Sequence, residues 1–178
     1  MGLRKAGAYT TKYARPYTRK STKKSKSYIK TIPVSKIVKF HMGDIKSYKD
    51  GKFRFVIELR ATEDAQVRDN ALEAARQFMN KALDEQLQGV YYFKIGVYPH
   101  HILRENAMIA GAGADRMQTG MQLSFGKTIG RAAMVKEGKD VLLVATDSDK
   151  KAGIARHILN QIKSKISCRS RVVTTILK

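Results

Sequence analysis

The chain has 178 residues with 35 Lys or Arg against 15 Asp or Glu, so its formal net charge is +20. This length suits a chain that buries a core of its own, and the charge indicates a polyanionic partner. The single cysteine, Cys168, excludes an internal disulfide and a multi-cysteine zinc site. No apolar run approaches the length of a membrane span or the middle of a signal peptide, so we expect a soluble, intracellular protein.

Residues 1–30 form a basic arm with ten Lys or Arg and no acid, and four tyrosines lie among these cations. Aliphatic residues are too few there to build a core. Cations neutralise phosphates and tyrosine rings stack on unpaired bases, so we predict an RNA-binding extension, with a solubilising tail as the alternative. The cations that we expect to bind RNA are Arg4, Lys5, Lys12, Arg15, Arg19, Lys20, Lys23, Lys24 and Lys26.

Charge is distributed unevenly along the rest of the chain. Residues 150–178 carry eight Lys or Arg and no acid, whereas residues 58–85 hold seven of the fifteen acids against four basic residues. The acidic stretch predicts a face that is kept away from a polyanion or that simply faces water.

The first predicted elements are a strand and a helix. Residues 52–59 alternate apolar and polar side chains, as in a half-buried strand. We expect a helix to follow, with Thr62 as its N-cap and Gly89 at its end. The residues predicted to face inward from this helix are Val67, Ala71, Ala74, Phe78 and Ala82.

Strand patterns and one loop pattern follow. Residues 91–98 predict a second strand, which Pro99 closes. Residues 104–120 have no apolar period and predict a long loop. Residues 131–135 and 141–146 predict strands on either side of a short turn.

The last part of the chain predicts a helix and a final strand. The helix begins near Ser148, and residues 171–177 form the strand. Strands close enough to form hairpins, together with two helices, predict an α+β fold with the helices packed on a mixed, largely antiparallel sheet. We expect residues 31–178 to form one globular domain after the basic arm. The residues predicted to face inward from the second helix are Ala155, Ile158, Ile162 and Ile166.

The stretch 119–128 superficially has the form of a nucleotide-binding loop. In such a loop, four residues separate the first glycine from Gly-Lys-Ser/Thr, whereas five separate Gly120 from Gly126, and Met121 stands at the required glycine. No strand precedes the stretch and no amphipathic helix follows it to hold the anion at its N-terminus. We therefore predict that the protein is not a nucleotide hydrolase and has no catalytic residue.

Two further residue patterns predict neither catalysis nor metal binding. His100 and His101 are adjacent, so their side chains splay apart on an extended chain and are poor joint metal ligands. Surface or partly buried polar groups and RNA contact remain as their alternative roles. Cys168 has no nearby His or acid in the sequence, which favours a buried, inert thiol.

Phe53 and Phe55 have the spacing of the aromatic strand in an RNA-recognition motif. Lys52 and Arg54 replace the glycines of that motif, and both aromatic residues share a face with Ile57 in an alternating pattern. The pattern favours packing of both rings in the core.

Five stretches of the sequence stand out as a set of signatures. They are RPYTRK (15–20), KIVKFHMG (36–43), RDNALEAAR (68–76), YPHHILREN (98–106) and AGADRMQTGMQLSFGKTIGRAA (112–133). In this order they resemble the signatures of one family, the archaeal and eukaryotic L-ten-e type of large-subunit ribosomal protein, the counterpart of bacterial ribosomal protein L sixteen. The resemblance implies an α+β sandwich that binds large-subunit rRNA near the peptidyl-transferase region, in the cytoplasm and without cofactor, metal or membrane. It also implies neighbouring ribosomal proteins and tRNA acceptor ends as partners, the latter through the loop 104–120.

The resemblance also implies roles for residues around the loop. A general nucleic-acid or chromatin binder would share the charge but would leave the loop unexplained. Four residues would anchor the base of the loop or touch RNA: His100, His101, Arg104 and Asn106. Three further residues would be its RNA-facing polar groups: Arg116, Gln118 and Lys127.

Overall fold

The computed structural model describes residues 5–10, 29, 31–105 and 126–177, and within them the chain forms two antiparallel sheets. The five-stranded sheet has the order β1-β4-β7-β2-β8, and its strands are β1 (His41–Gly43), β2 (Phe55–Ala61), β4 (Tyr92–Ile95), β7 (Asp140–Thr146) and β8 (Ser170–Ile176). The three-stranded sheet has the order β3-β6-β5, and its strands are β3 (Ala65–Arg68), β5 (His101–Glu105) and β6 (Lys127–Val135). The helices are α1 (Gly7–Thr10), α2 (Ile45–Lys49), α3 (Asp69–Leu87) and α4 (Asp149–Ile162).

The core lies between the five-stranded sheet and the two long helices. In the centre of that sheet Ile57 lies opposite Val144, and Leu59 lies opposite Leu142. All four side chains are fully buried in one cluster with the apolar faces of α3 and α4. The apolar face of β2, which recurs at every second residue, and the apolar faces of the helices, which recur about every 3.6 residues, therefore pack in one interface. The α+β class predicted from the sequence is confirmed.

The helix α4 matches its predicted pattern. It begins after Ser148, and Ala155, Ile158 and Ile162 are fully buried. Ile166 is also buried, although it lies beyond the end of the helix and follows a short 3-10 turn.

The helix α3 differs from its prediction in both its start and its inward face. It begins at Asp69 rather than after Thr62, because residues 65–68 pair with β6 as strand β3. The predicted inward face was wrong for Ala74, which is exposed, and for Phe78, which is 36% exposed. Ala71 and Ala82 do pack against the core, and Val67 is buried but lies in β3. The buried stripe lies one position further along and carries the larger aliphatic side chains, which gain more from burial. Its apolar residues are Leu72, Ala75, Met79, Leu83 and Leu87.

The strands β6 and β7 do not form a hairpin, although only a short turn separates them. They belong to different sheets, and the turn between them bonds to the end of β2. The backbone N–H of Gly138 donates to the carbonyl of Ala61 (2.9 Å), and the N–H of Ala61 donates to the carbonyl of Lys139 (2.9 Å). The turn thus joins the two sheets.

The two phenylalanines near β2 pack inside the protein. Phe53 is 3% exposed and packs in a second, smaller cluster with Val56 and Tyr92. Phe55 is partly buried and packs against the main core. Core packing of both rings is confirmed, but they join different clusters instead of sharing one face.

The sequence predicts that the acids of residues 58–85 form a face that is turned away from a polyanion or toward water. In the structure these acids instead have partners within the protein. All seven accept a hydrogen bond or form an ion pair, and four of them (Glu58, Glu63, Glu73 and Glu85) lie within ion-pair distance of a Lys or Arg that offsets their charge. The pairs are Glu58 with Arg60, Glu63 with the N–H of Arg169, Asp64 with the N–H of Glu137, Asp69 with the N–H of Lys36, Glu73 with Arg76, Asp84 with the Tyr91 hydroxyl, and Glu85 with Lys81.

Candidate nucleic-acid interface

Residues 31–40 form an extended strap across the end of the three-stranded sheet. The hydroxyl of Thr128 donates to the carbonyl oxygen of Thr31 (3.0 Å), and Nε of Arg131 donates to the carbonyl of Pro33 (2.6 Å). Both donors come from β6. The first half of the strap is therefore fixed to the middle strand of that sheet.

The second half of the strap is fixed to the first turns of α3. The N–H of Lys36 donates to a carboxylate oxygen of Asp69 (3.2 Å), and the N–H of Val38 donates to Glu73 (3.3 Å). Ile37 between them is 7% exposed and belongs to the main core. The hydrogen bonds of Lys36 and Val38, together with the burial of Ile37 between them, hold the backbone of the strap against the protein. The side chain of Lys36 remains exposed.

The carboxylate beneath the strap is neutralised by a neighbouring arginine. Glu73 is 9% exposed and receives two hydrogen bonds from Arg76, of 2.6 and 2.8 Å. These charge-assisted bonds, with a further one from the N–H of Val38, hold the pKa of Glu73 below its ordinary value against the opposing effect of burial. The surface above Glu73 therefore keeps the positive character of the strap.

A tight turn in the YPHH sequence arranges a row of aromatic rings beside the strap. The N–H of His100 donates to the carbonyl of Tyr98 (3.0 Å), a three-residue turn that suits the fixed φ of Pro99. The turn sets the rings of Tyr98 and His100 with centroids 4.4 Å apart, and Phe40 of the strap stacks on Tyr98 at 5.2 Å. We call Phe40, Tyr98 and His100 the aromatic row. Tyr98 is 43% exposed and His100 is exposed.

The two adjacent histidines occupy opposite environments, as predicted. His101 opens β5 opposite Ala132 of β6 and is 3% exposed. Burial lowers the pKa of His101, which favours the neutral ring. Of its two suggested roles, this position favours anchoring the base of the loop.

The predicted loop begins later than expected, because Arg104 and Glu105 are the last residues of β5. Arg104 is partly buried opposite Thr128, and Glu105 lies opposite Lys127. Lys127 is exposed at the first position of β6. The two strands that flank residues 106–125 are therefore paired side by side. The loop residues Asn106, Arg116 and Gln118 lie outside the described residues.

The described part of the basic arm contacts the three-stranded sheet. The hydroxyl of Tyr9 donates to a carboxylate oxygen of Glu105 (3.3 Å), and the guanidinium of Arg68 lies 5.2 Å from the centre of the Tyr9 ring. This tyrosine thus packs within the protein, and Lys5 beside it is exposed. The remaining predicted cations of the arm lie outside the described residues: Arg4, Lys12, Arg15, Arg19, Lys20, Lys23, Lys24 and Lys26.

The local structure after Gly126 is unlike that of a nucleotide-binding loop. Lys127 opens strand β6, where such a loop needs the N-terminus of a helix. Cys168 is buried, and burial raises the pKa of its thiol to about 11, so it is inert near neutral pH. Within the described ranges, no three His, Cys, Asp or Glu side chains group as metal ligands, and no helix is long and apolar enough to cross a membrane.

Comparison with known proteins identifies the family. Residues 16–173 match the family model described as ribosomal protein L16p/L10e. The chain belongs to the L16p/L10e family of ribosomal proteins.

Among its relatives are proteins named large ribosomal subunit protein uL16. The one from Thermofilum pendens is 43% identical over 97% of each chain. The one from Staphylothermus marinus is 44% identical over 100% of this chain and 97% of its own. The one from Methanococcus maripaludis is 39% identical over 98% of this chain and 95% of its own.

Membership of the L16p/L10e family confirms the resemblance drawn from the five stretches and the prediction of a non-enzymatic protein. The structure adds surface residues that the sequence analysis did not assign, namely Lys36, Lys39, Phe40 and Arg131. The signal was present in KIVKFHMG, where lysines alternate with apolar residues and an aromatic. Its meaning depends on Tyr98, which lies far away in the chain.

Proposed function

We propose that this chain is a structural constituent of the large ribosomal subunit, in the cytoplasm, where it binds rRNA near the peptidyl-transferase region beside neighbouring ribosomal proteins. Membership of the L16p/L10e family over nearly the whole chain carries the proposal. The net charge of +20, with the acids of residues 58–85 committed to internal partners, suits a polyanionic ligand.

The basic arm and the region around β5 and β6 supply the proposed RNA contacts. Lys5 and the other cations of the arm neutralise phosphates, and His100 and Lys127 are exposed to contact RNA. His101 and the pairing of β5 with β6 fix the base of the loop. These contacts hold the two ends of the loop next to each other.

We further propose that the loop positions tRNA acceptor ends, with Arg104, Asn106, Arg116 and Gln118 as its polar contacts. Arginine side chains form charge-assisted, forked hydrogen bonds to phosphates. The alternative for Arg104, an exposed ion pair with an acid, is worth at most about 1 kcal/mol.

Changing Arg116 to Ala tests this role of the loop. We expect an unchanged melting temperature, because the residue belongs to no apolar pattern, and slower translation by reconstituted large subunits that contain the variant. Arg104→Ser should slow translation too, with a small loss of stability because its side chain is partly buried in β5. The control is Arg156→Ala, on the exposed face of α4. Normal translation with both Arg104 and Arg116 replaced contradicts the proposed role.

Sedimentation separates the proposal from a general nucleic-acid binder. In a cell extract, the protein should sediment with large ribosomal subunits and remain with them at salt concentrations that release nonspecific binders. A protein spread over all nucleic-acid fractions, or enriched with chromatin, contradicts the proposed function.

A further inference from the structure

We propose that the aromatic row is a stacking site for an unpaired base of single-stranded RNA, with Lys36 and Lys39 of the strap binding the adjacent phosphates. The inference rests on the proposed function and specifies a site and a ligand class for it. The site is separate from the loop and from the basic arm.

The aromatic row presents a ring to solvent at a place where the backbone allows little movement. His100 is the exposed end of the row, and the turn through Pro99 sets its ring against Tyr98. Tyr98 remains 43% exposed even though Phe40 stacks on it with an interplanar angle of 24°. Aromatic side chains held in this way offer a flat face on which any base can stack.

Hydrogen bonds from β4 and β6 hold the row in place before any ligand arrives. The carbonyl of Phe40 accepts a hydrogen bond from the N–H of Ile95 (2.9 Å), which fixes the strap to β4. Arg131 donates to Pro33 of the strap and lies 3.5 Å from the hydroxyl of Tyr98. A preorganised surface loses little conformational entropy on binding, so more of the stacking energy appears as affinity.

The charges around the row suit phosphates. Lys36 and Lys39 are exposed on the strap, and in the part of the chain that the structure describes neither forms an ion pair with a carboxylate. The nearest acids on α3, Asp69 and Glu73, are buried and bonded to the backbone of the strap. Flat rings beside exposed lysines, with Glu73 ion-paired to Arg76, are the features of a single-strand binding surface.

A neighbouring protein is the competing occupant of this surface. Val34 and Val38 of the strap are 86% and 72% exposed, and a protein partner would bury them. The rings and the lysines favour RNA, because a protein interface core is depleted of lysine. Binding measurements on matched variants distinguish the two occupants.

The experiment measures binding of the full-length protein to a short oligouridine, to an abasic oligonucleotide of the same length, and to a duplex. His100→Ala should weaken binding to oligouridine about 5- to 150-fold, the range for one stacked base, and leave abasic and duplex binding unchanged. The matched control is His157→Ala, an exposed histidine on α4, which should change none of the three. Tyr98→Ala should act like His100→Ala.

The salt dependence separates stacking from charge. His100→Ala should leave the slope of log K against log salt unchanged, because a ring neutralises no phosphate. Lys39→Ala should reduce that slope by about 0.7, the value for one phosphate contact on a single strand. Melting temperatures of the His100→Ala and Lys39→Ala proteins should match that of the parent, since both side chains are exposed. Tyr98→Ala should lower the melting temperature slightly, because that ring stacks on Phe40 and its hydroxyl accepts a hydrogen bond from Arg131.

Equal affinity of the His100→Ala and His157→Ala proteins for oligouridine overturns the proposal, as does an equal loss on the abasic strand. Val34→Ser with Val38→Ser provides the other arm. Loss of that variant from large subunits, with oligouridine affinity unaffected by His100→Ala, assigns the surface to a protein partner and also overturns the proposal. If the parent protein still sediments with large subunits, the proposed function stands even when the stacking site is disproved. Failure of the stacking site can therefore be distinguished from failure of the proposed function.

Discussion

His100 and His101 adjoin in the chain, but only His101 is buried. Burial lowers the pKa of His101 from its ordinary 6.5, so below pH 6.5 the unfolded chain binds more protons at this residue than the folded chain does. Stability should therefore fall as the pH drops from about 6.5 toward the folded-state pKa. His101→Gln should flatten this decline, as measured by urea unfolding at a series of pH values.

The control for this prediction is His100→Gln, which removes an exposed ring and should keep the decline. A second loss, at lower pH, belongs to Glu73. Its pKa is held below the ordinary 4.5, so its stabilising contribution is present above that pH and is lost as the pH falls through the folded-state value. A decline near pH 6 that survives His101→Gln would assign the effect to another group.

The two histidines show what the sequence could and could not predict about single residues. Adjacent side chains in an extended chain point to opposite sides, so the separation of the two histidines was predictable. Which of them is buried was not, because that depends on the pairing of β5 with β6. The stacking of Phe40 on Tyr98 was equally hidden, since those residues are far apart in the chain.

At the scale of elements, two glycines with nearly the same positive φ allow a test of the close contact between the end of β1 and the residue before β4. Gly43 and Gly138 have φ of +79° and +78°, and a Cβ at Gly43 would collide with the carbonyl oxygen of Tyr91, whereas a Cβ at Gly138 would meet nothing within 4 Å. Gly138→Ala should cost about 1–2 kcal/mol of backbone strain. Gly43→Ala should cost about 2–5 kcal/mol, because an overpacking cost of about 1–3 kcal/mol adds to that strain. Urea unfolding of both variants measures the difference, and equal losses would show that the carbonyl moves aside freely.

The sequence predicted some elements well because only one pattern was available. In α4 a single apolar stripe exists, and its inward residues were identified. In α3 two stripes compete, one through Ala71 and Phe78 and another through Leu72 and Met79, and only the packing against α4, β3 and β6 selects the second. The strand β3 was missed because it is only four residues long and because Val67 also fits the helical spacing of the residues that follow it.

At the scale of the whole molecule, the basic arm has two separable parts. Tyr9 and Ile29 contact the folded protein, and Ile29 is 6% exposed, so deleting residues 1–30 would remove packing as well as charge. Replacing only Lys20, Lys23, Lys24 and Lys26 by Gln removes four positive charges and keeps those contacts. We expect weaker rRNA binding and an unchanged melting temperature. The salt slope should fall by about 0.7–0.9 for each phosphate that the variant no longer neutralises.

The matched control replaces four exposed lysines elsewhere by Gln. Two of them, Lys52 and Lys81, already lie near carboxylates. The other two are Lys46 and Lys49 of α2. Both variants lose the same net charge, so a general field effect would change their salt slopes equally. If the salt slopes of the arm variant and the control variant are equal, the arm does not contact phosphates directly.

The family and the fold class were predictable at this scale, because long signature stretches and repeated patterns average over local errors. The division into two sheets was not, since β6 and β7 are neighbours in the chain but separate in space. The strap was also missed, because Val34, Ile37 and Val38 have helical spacing but only Ile37 is buried.

The pairing of β2 with β8 links the completion of the five-stranded sheet to the order of synthesis. β2 ends at Ala61 and β8 begins at Ser170, and every residue of β2 pairs with one of β8. While the intervening chain is being made, one edge of β2 has no strand to bond with, and open strand edges promote aggregation. A nascent chain released before β8 is made keeps that edge open. Such fragments should aggregate or be degraded, so the cell obtains an assembly-competent protein only from translation that continues through Ile176.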